Sequence, residues 1–400
     1  MSVDYDPYSD EAMRDPSALY RRMREAGCPH YMDKYKAWAL VRYEDVNTAS
    51  LADEKIDFTH GSLLGQHMLG EPIPRTFMTM NEPERRAWRN LLTPSYTIKA
   101  VKGEAERLRA LVREILAPLV ARGEFDVYRD LTNRVMCINA GYMLGIPRED
   151  AEYVRGRIDD MIMHREAGQK GMTSERNRAA AHELAGYLGA YVARLRAEPE
   201  TAVRHAKILL EAEIDGRRLD DEEMIAYFFS LLVTGSETTP MATAGVFYYL
   251  AKHPEQKAKV VADPAGLAKA AFMETCRYDQ PTNMLVRCAR DDFELNGQQI
   301  RTGDRLLMIY ASANRDAERF ERADEFDIFR PRKADMTFGT GVAFCLGAHL
   351  AQFVGPMMIE EVLNAVGDFE LIEDQCERAY GENLAGFNRV PIRFTPRNLV

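Results

Sequence analysis

One cysteine in the last fifth of the sequence stands where it could bind a metal. Cys345 lies in the stretch FGTGVAFCLG, among Gly339, Gly341 and Gly347, directly before a strongly apolar helical pattern. Free backbone N–H groups and the helix dipole favour a thiolate at such a position by about 0.3–1 kcal/mol. Because lowering the pKa of a thiol by one unit takes about 1.4 kcal/mol, the dipole alone does not hold a buried thiolate. A coordinated metal does.

The other cysteines give no sign of a shared site. All six are widely scattered and no two form a CxxC pair, which argues against a disulfide framework or a structural zinc site. A single cysteine without neighbouring cysteine or histidine ligands suits a metal whose other positions are already filled, as those of iron are in a porphyrin. The alternative for each cysteine is a small buried hydrophobic residue.

A second unusual stretch is FFSLLVTGSETTPMATAGVFYYL, residues 228–250. It has the apolar flanks of a buried helix, yet its glycine and proline cost roughly 1 and 3 kcal/mol there. Pro240 cannot donate to the Ser236 carbonyl, so the helix should open near Gly235. Hydroxyl side chains at four-residue steps share one face: Ser230, Thr234 and Thr238. From these residues alone, a functional polar strip and a simple proline kink with back-bonded threonine both remain open.

Helical periodicity dominates the elements that would position these residues. Asp220 and Glu223 resemble a capping box at the start of a helix over 221–252. Further helices are predicted over 16–26, 44–50, 84–92, 100–121, 130–144, 148–165 and 174–196, and strands over 37–41, 285–288, 305–309 and 391–394. The segment 60–80 fits no period and is predicted to be a loop that covers a pocket, or else an ordinary surface loop.

Composition excludes several classes of protein. The 400 residues carry a formal net charge of −10, which argues against a nucleic-acid-binding protein. The acidic N-terminus has neither the apolar core of a signal peptide nor a membrane span, so a cytoplasmic protein is expected. No linker or repeat interrupts the chain, so we expect a single domain over 1–400.

The motifs together resemble those of a known family. FGTGVAFCLG is similar to the cysteine-ligand loop of the cytochrome P450 haem-thiolate enzymes, TGSETT to their oxygen-binding helix, and ETCR to their Glu-x-x-Arg helix. The three occur in the family's order and spacing, and the resemblance covers essentially the whole chain, closest to soluble bacterial members. It implies a mainly α fold, a large helical domain with small β-sheets, and haem b between the long central helix and the helix after Cys345.

The resemblance assigns roles around the haem. Cys345 would be the axial iron ligand, Phe338 would pack near its sulfur, and Gly339 and Gly347 belong to the cofactor-binding loop. A buried charge cluster beneath the haem would consist of Glu274, Arg277 and Arg330, with a structural role.

The haem propionates would be bound by Arg85, Arg89 and Arg287, whose planar guanidinium groups suit carboxylates. Two positions depart from the family pattern. Ala343 stands where a His or Arg usually binds a propionate, and Arg85 stands where bacterial relatives often have His.

On the oxygen side, Glu237 and Thr238 match the family's acid–alcohol pair, which would relay protons, and Gly235 would leave space for dioxygen. Thr234 replaces the usual Ala or Gly. It would either narrow the space over the iron or bond to substrate.

The implied function is a monooxygenase, of the kind used in bacterial secondary metabolism, that oxidises a medium-sized hydrophobic substrate with O2. Electrons would come from NAD(P)H through a separate ferredoxin reductase and ferredoxin. We expect a monomer that binds neither nucleic acid nor membrane. Candidate substrate contacts are Ser230, Thr234, Asn283, Met284, Leu285 and Phe387. Alternatives are peroxide-driven oxidation, ring coupling or nitration on the same scaffold, or a catalytically silent haem protein that recruits a partner.

Overall fold

A computed structural model describes residues 3–27, 29–70, 73–162 and 174–395. Its α-helices span Asp10–Arg14, Ser17–Ala26, Tyr43–Leu51, Leu64–Leu69, Glu84–Leu92, Ile98–Gly103, Ala105–Val120, Asn133–Leu144, Ala151–Ile162, Glu175–Ala197, Arg204–Glu211, Asp221–Lys252, Pro254–Ala262, Pro264–Tyr278, Tyr310–Ala313 and Ala348–Val366. A π-helical turn, Val127–Thr132, immediately precedes Asn133–Leu144. The fold is therefore mainly helical, as the sequence predicts.

The strands form small sheets at the edges of the helical body. The largest sheet has five strands in the order His30–Met32, Ala37–Leu40, Arg305–Met308, Leu285–Ala289 and Ile56–Asp57. A three-stranded sheet joins Glu370–Leu371, Pro391–Arg393 and Glu124–Asp126. Two-stranded pairs complete the set: Glu213–Ile214 with Arg217–Arg218, Phe293–Leu295 with Gln298–Ile300, and Glu377–Arg378 with Phe387–Arg389.

The helix Asp221–Lys252, called here the central helix, has the bounds that the sequence predicts. The side chain of Asp220 accepts from the Glu223 N–H at 2.8 Å, and the Asp220 N–H donates to Glu223 Oε2 at 3.2 Å, which confirms the capping box. The helix continues through Pro240 without a break. Its two halves pack in different cores, so it crosses the body of the fold.

The helix Ala348–Val366, called here the ligand helix, follows Cys345 and packs in the same core as the C-terminal half of the central helix. Leu346, beside the cysteine, packs instead against the core of the N-terminal half, which includes Leu232. The two ends of this segment are thereby anchored in different cores. Among the described residues, no helix is both long and apolar enough to cross a membrane.

Some predicted elements differ in detail. The predicted helix 100–121 is two helices that meet at Glu104, and 130–144 begins with the π-helical turn. The end of the predicted helix 148–165 lies outside the described residues, as does Cys28. Segment 60–80 is not wholly irregular, because it contains Leu64–Leu69 and a short 3-10 turn at Phe77–Thr79.

Candidate haem-binding and oxygen-activation site

The cysteine loop is closed by its own backbone. The Cys345 N–H donates to the Phe338 carbonyl at 2.8 Å, and the Phe344 N–H donates to Gly341 O at 3.1 Å. Gly341 has a φ of +66°, and a Cβ there would lie 2.6 Å from the backbone oxygen of Ser50. Only glycine fits this position, so the sequence fixes the path of the chain that presents the cysteine. Gly339 also has a positive φ, of +67°.

The sulfur of Cys345 lies in a recess within the protein. The residue is accessible, yet protein surrounds the thiol, and this burial raises its pKa. The Gly347 N–H, which donates to the sulfur, and the positive charge of Arg89 act in the opposite direction without cancelling the effect of burial. The protein alone therefore leaves a neutral thiol, and an anionic sulfur at this place calls for a metal.

Two buried arginines lie close to one aromatic ring. The guanidinium carbons of Arg85 and Arg287 lie 4.2 Å and 4.9 Å from the ring centroid of Phe58. Burial, and then the charges of Arg287 and Arg89, lower the pKa of Arg85 to about 10. Arg85 makes one long hydrogen bond, 3.4 Å to Met78 O, and its buried Nε has no partner among the described residues.

These arginines lack the counter-ions that buried cations require. Among the described residues, neither Arg85 nor Arg287 pairs with a carboxylate, and Arg89 donates only to the Phe344 carbonyl, at 2.7 Å. The missing partner is a dianionic group beside Cys345. The two propionates of a haem meet that requirement, so the residues present fit the cofactor.

Sequence reasoning missed Tyr310. Its ring is buried in the same apolar cluster as Phe58 and Ala343. Burial raises the pKa of the Tyr310 hydroxyl, and the positive charges of Arg287 and Arg85 act in the opposite direction without cancelling this effect. The Tyr310 hydroxyl is thus a polar group in the same cluster as Ala343, whose own side chain has no polar atom. No sequence motif marks this tyrosine.

The predicted charge cluster is assembled. Arg277 donates to both oxygens of Glu274, from Nη2 at 2.7 Å and from Nε at 2.9 Å. Arg330 Nε donates to Glu274 Oε1 at 3.3 Å. Arg277 also donates to the backbone oxygens of Asn314 and Ala323. The cluster thus fixes the loop that leads toward the cysteine.

The hydroxyl side chains of the central helix share a partly open face, as their spacing predicts. Thr234 is exposed and Ser230 and Thr238 are half-buried, whereas Leu232 and Ser236 on another face of the helix are buried. The Thr234 hydroxyl donates to Ser230 O at 2.7 Å, so only its methyl group and oxygen lone pairs remain free. The Thr238 hydroxyl has no protein partner among the described residues and is free to act.

Gly235 lies close to a neighbouring helix. A Cβ on Gly235 would point at the Cβ of Ala140, 3.6 Å away on that helix. The missing side chain therefore allows close packing of two helices, and the role of Gly235 in making space for dioxygen stays a prediction.

Glu237 is turned away from Thr238. Its Oε2 accepts from the Tyr128 hydroxyl at 2.6 Å, and its Oε1 accepts from Asn133 Nδ2 at 3.4 Å. The carboxyl is buried, and burial, followed by the charge of Asp159, raises the pKa of Glu237 to about 8. The structure thus contains the acid and the alcohol of the predicted pair on adjacent residues, without a hydrogen bond between them.

Three predicted substrate contacts are occupied by protein. Asn283 is buried and bonds to Tyr20 and to the Glu382 carbonyl. Met284 is buried in the core formed by the N-terminal helices. Phe387 stacks on Tyr248 with the ring centroids 4.0 Å apart. These protein contacts do not favour the three residues over Leu285, and their role as substrate contacts stays a prediction.

Leu285 is half-buried and stays a candidate, together with Ser230 and Thr234. Among the described residues, no three His, Cys, Asp or Glu side chains gather to hold a metal ion. Within the described part of the chain, the site consists of the Cys345 thiol, three cations without carboxylate partners and a hydroxyl-bearing helix.

Comparison with known proteins agrees with this geometry. Residues 170–263 and 266–373 match the cytochrome P450 family model. The chain is 30% identical to the cyclomarin C epoxidase CymV of Salinispora arenicola, over 86% of this chain and 87% of that protein. It is 29% identical to the vitamin D(3) 25-hydroxylase of Pseudonocardia autotrophica, over 90% of this chain and 89% of that protein.

The fold has solved counterparts. The structure of cytochrome P450 CYP109Q5 from Chondromyces apiculatus superimposes with a TM-score of 0.85 at 26% identity, covering 99% of this chain and 100% of that one. The chain belongs to the cytochrome P450 family, whose members are haem-thiolate proteins, and it is a cytochrome P450 monooxygenase by family.

Proposed function

We propose that this protein binds haem b through Cys345 and oxidises a medium-sized hydrophobic organic substrate with O2. The observation that carries the proposal is the Cys345 thiol in the same region as three arginines that lack carboxylate partners among the described residues. When bound, the haem would supply the activation of dioxygen for insertion into the substrate. Cys345 would hold the iron, and Arg85, Arg89 and Arg287 would bind the propionates.

The central helix would supply the protons that the reaction consumes. Thr238, whose hydroxyl is free, would donate a proton from its Oγ1. Glu237 would return a proton to Thr238 after the Glu237 carboxyl group turns away from Tyr128. A carboxyl group with a pKa of about 8 is protonated at neutral pH, so it can give a proton in a recess that is otherwise apolar.

Electrons would come from a separate ferredoxin and its NAD(P)H-dependent reductase. The helix Ile98–Gly103 packs against the ligand helix, and its exposed Lys99 and Lys102 form no ion pair among the described residues. An acidic partner would be attracted to this side of the protein. Reduction by such a partner should therefore slow as ionic strength rises.

Substitution of Thr238 by alanine should uncouple electron use from product formation, because the free hydroxyl is the proton donor closest to the reaction. We expect product per NAD(P)H oxidised to fall by about tenfold or more, with hydrogen peroxide rising in its place. Thr243→Val is the matched control, since its hydroxyl lies on the same helix but is buried and bonded to Thr239 O. Equal coupling in Thr238→Ala and the parent protein would contradict the assignment.

Thr234 should act through its size. Its hydroxyl hydrogen is already bonded to Ser230 O, so the side chain narrows the recess instead of donating to substrate. Thr234→Ala should bind bulky hydrophobic ligands about tenfold more tightly, whereas Thr234→Val, of equal size, should resemble the parent. Optical titration with ligands of increasing size measures both. A loss of binding in Thr234→Val would show a polar role instead.

The class of substrate can be found without knowing the reaction. Purified, haem-loaded protein is titrated with a panel of hydrophobic metabolites, and a shift of the haem absorption band reports occupancy of the recess. The proposal expects saturable shifts with some of the panel. A protein that incorporates no haem through Cys345 would refute it.

A further inference from the structure

Tyr128 is the strongest polar partner of Glu237. It is buried, and its hydroxyl donates to Glu237 Oε2 at 2.6 Å, which is a short hydrogen bond. The second partner, Asn133, lies 3.4 Å from Oε1, near the limit for a hydrogen bond. Tyr128 therefore determines which way the carboxyl group points.

The backbone around Tyr128 is specialised. Tyr128 lies in the π-helical turn Val127–Thr132, in which the hydrogen-bond pattern is wider than in an α-helix. The Asp126 carboxylate caps this turn by accepting from the N–H groups of Tyr128 and Arg129. Such turns are rare and are found frequently at functional sites. Here the turn delivers a phenol to a carboxyl group buried on another helix.

A second acidic group acts on Glu237 from the helix Ala151–Ile162. Asp159 pairs with Arg155 at 3.1 Å through Oδ2, while its buried Oδ1 has no partner among the described residues. Its helix faces Asn133–Leu144, because Glu152 binds Arg134 at 2.8 Å. The charge of Asp159 raises the pKa of Glu237. Asp159 itself has a pKa raised to about 6, mainly by burial.

We propose that Tyr128 and Asp159 together control the proton of the buried Glu237. The hydrogen bond from Tyr128 stabilises the ionised carboxylate and holds it away from Thr238, and the negative charge of Asp159 favours the protonated form. When Glu237 takes up a proton, its bond to Tyr128 weakens because the charge is lost, and the neutral group is freed to turn. Tyr128 is thus a positioning residue.

The groups that face this carboxyl group come from three elements. The π-helical turn provides Tyr128, the helix Asn133–Leu144 provides Asn133 and the buried thiol of Cys137, and the helix Ala151–Ile162 provides Asp159 and Arg155. Arg155 favours the ionised form of Glu237, in the same direction as Tyr128. The opposing effects of Tyr128 and Asp159 are what the test separates.

The inference rests on the proposed function only for the role of Glu237 as a proton donor. The experiment that tests it does not require catalytic turnover. The infrared carbonyl band of a protonated carboxylic acid is followed against pH in the full-length haem-loaded protein. Glu237→Gln identifies the band by removing it. In the parent protein the band should disappear with a midpoint near pH 8.

Two variants should move this midpoint in opposite directions. Tyr128→Phe removes a donor to the carboxylate and should raise the midpoint by about one pH unit, a tenfold change in proton affinity. Asp159→Asn removes a repelling charge and should lower it. Tyr191→Phe is the matched control, since its buried hydroxyl donates to Leu144 O instead, and should leave the midpoint unchanged.

A midpoint that stays or falls in Tyr128→Phe would overturn the inference, as would one that stays or rises in Asp159→Asn. The second variant keeps the test decisive should Tyr128→Phe not fold. Opposite shifts in a protein that forms no product would uphold the inference and count against the proposed function alone.

Discussion

Replacing Arg277 with leucine should destabilise the protein by about 3–5 kcal/mol, because it leaves the carboxylate of Glu274 buried without its main partner. Arg277 is nearly inaccessible and donates to both oxygens of that carboxylate. Its other donors bond to the backbone oxygens of Asn314, Ala323 and Glu325, which would lose a partner as well. The free energy of unfolding in urea, followed by circular dichroism, measures the loss.

Two further variants identify the cause. Removing both partners, in Glu274→Leu combined with Arg277→Leu, should recover part of the stability, since the buried carboxylate is gone and Arg330 keeps its bonds to the backbone oxygens of Arg322 and Glu325. Arg218→Leu breaks the exposed pair with Glu213 and should cost no more than about 1 kcal/mol. An Arg277→Leu protein as stable as the Arg218→Leu protein would show that the buried pair does not hold the fold.

Cys345→Ser should eliminate product formation and the red-shifted carbonyl band that thiolate-ligated ferrous haem gives. A serine hydroxyl is not ionised near neutral pH, so the variant cannot offer the iron an anionic sulfur. The change is small enough to keep the loop, whose shape depends on Gly341 and on the Cys345 N–H bond to Phe338 O. Absorption of the reduced, carbon-monoxide-treated protein and assay of product are the measurements.

Cys376→Ser is the control for the loss of a thiol. Cys376 is half-buried, packs against the core, and its thiol donates to the Ile372 carbonyl at 3.7 Å. That variant should keep both the carbonyl band and the activity. Retention of the band in Cys345→Ser, or its loss in Cys376→Ser, would place the iron ligand elsewhere.

Features that depend on residues close together in the sequence could be predicted from the sequence. The central helix was located to the residue, because Asp220 and Glu223 cap its start and His253 and Pro254 end it. The cysteine loop is recognisable in the sequence because its fold requires glycine at fixed positions, as the steric restriction at Gly341 shows. The family motif predicts a charge cluster beneath the haem, and Arg277 and Arg330 pair with Glu274 in the structure.

Contacts between distant segments were beyond local pattern. Tyr128 lies 109 residues before Glu237, and no periodicity connects the two. The same holds for Asn283, whose partner Tyr20 is 263 residues away. The sequence predicts that the Asn283 amide contacts substrate, and in the structure this amide bonds to the Tyr20 hydroxyl. Two-residue strands such as Ile56–Asp57 are too short to show an alternating pattern. Tertiary packing alone decides these features.

The central claim is that the sulfur of Cys345 binds haem iron opposite the hydroxyl-bearing face of the central helix. X-ray absorption at the iron edge of the purified ferric protein tests it most directly. The account predicts one sulfur among the ligands of the iron, and its absence in Cys345→Ser. Iron coordinated only by nitrogen and oxygen in the parent protein would contradict the account.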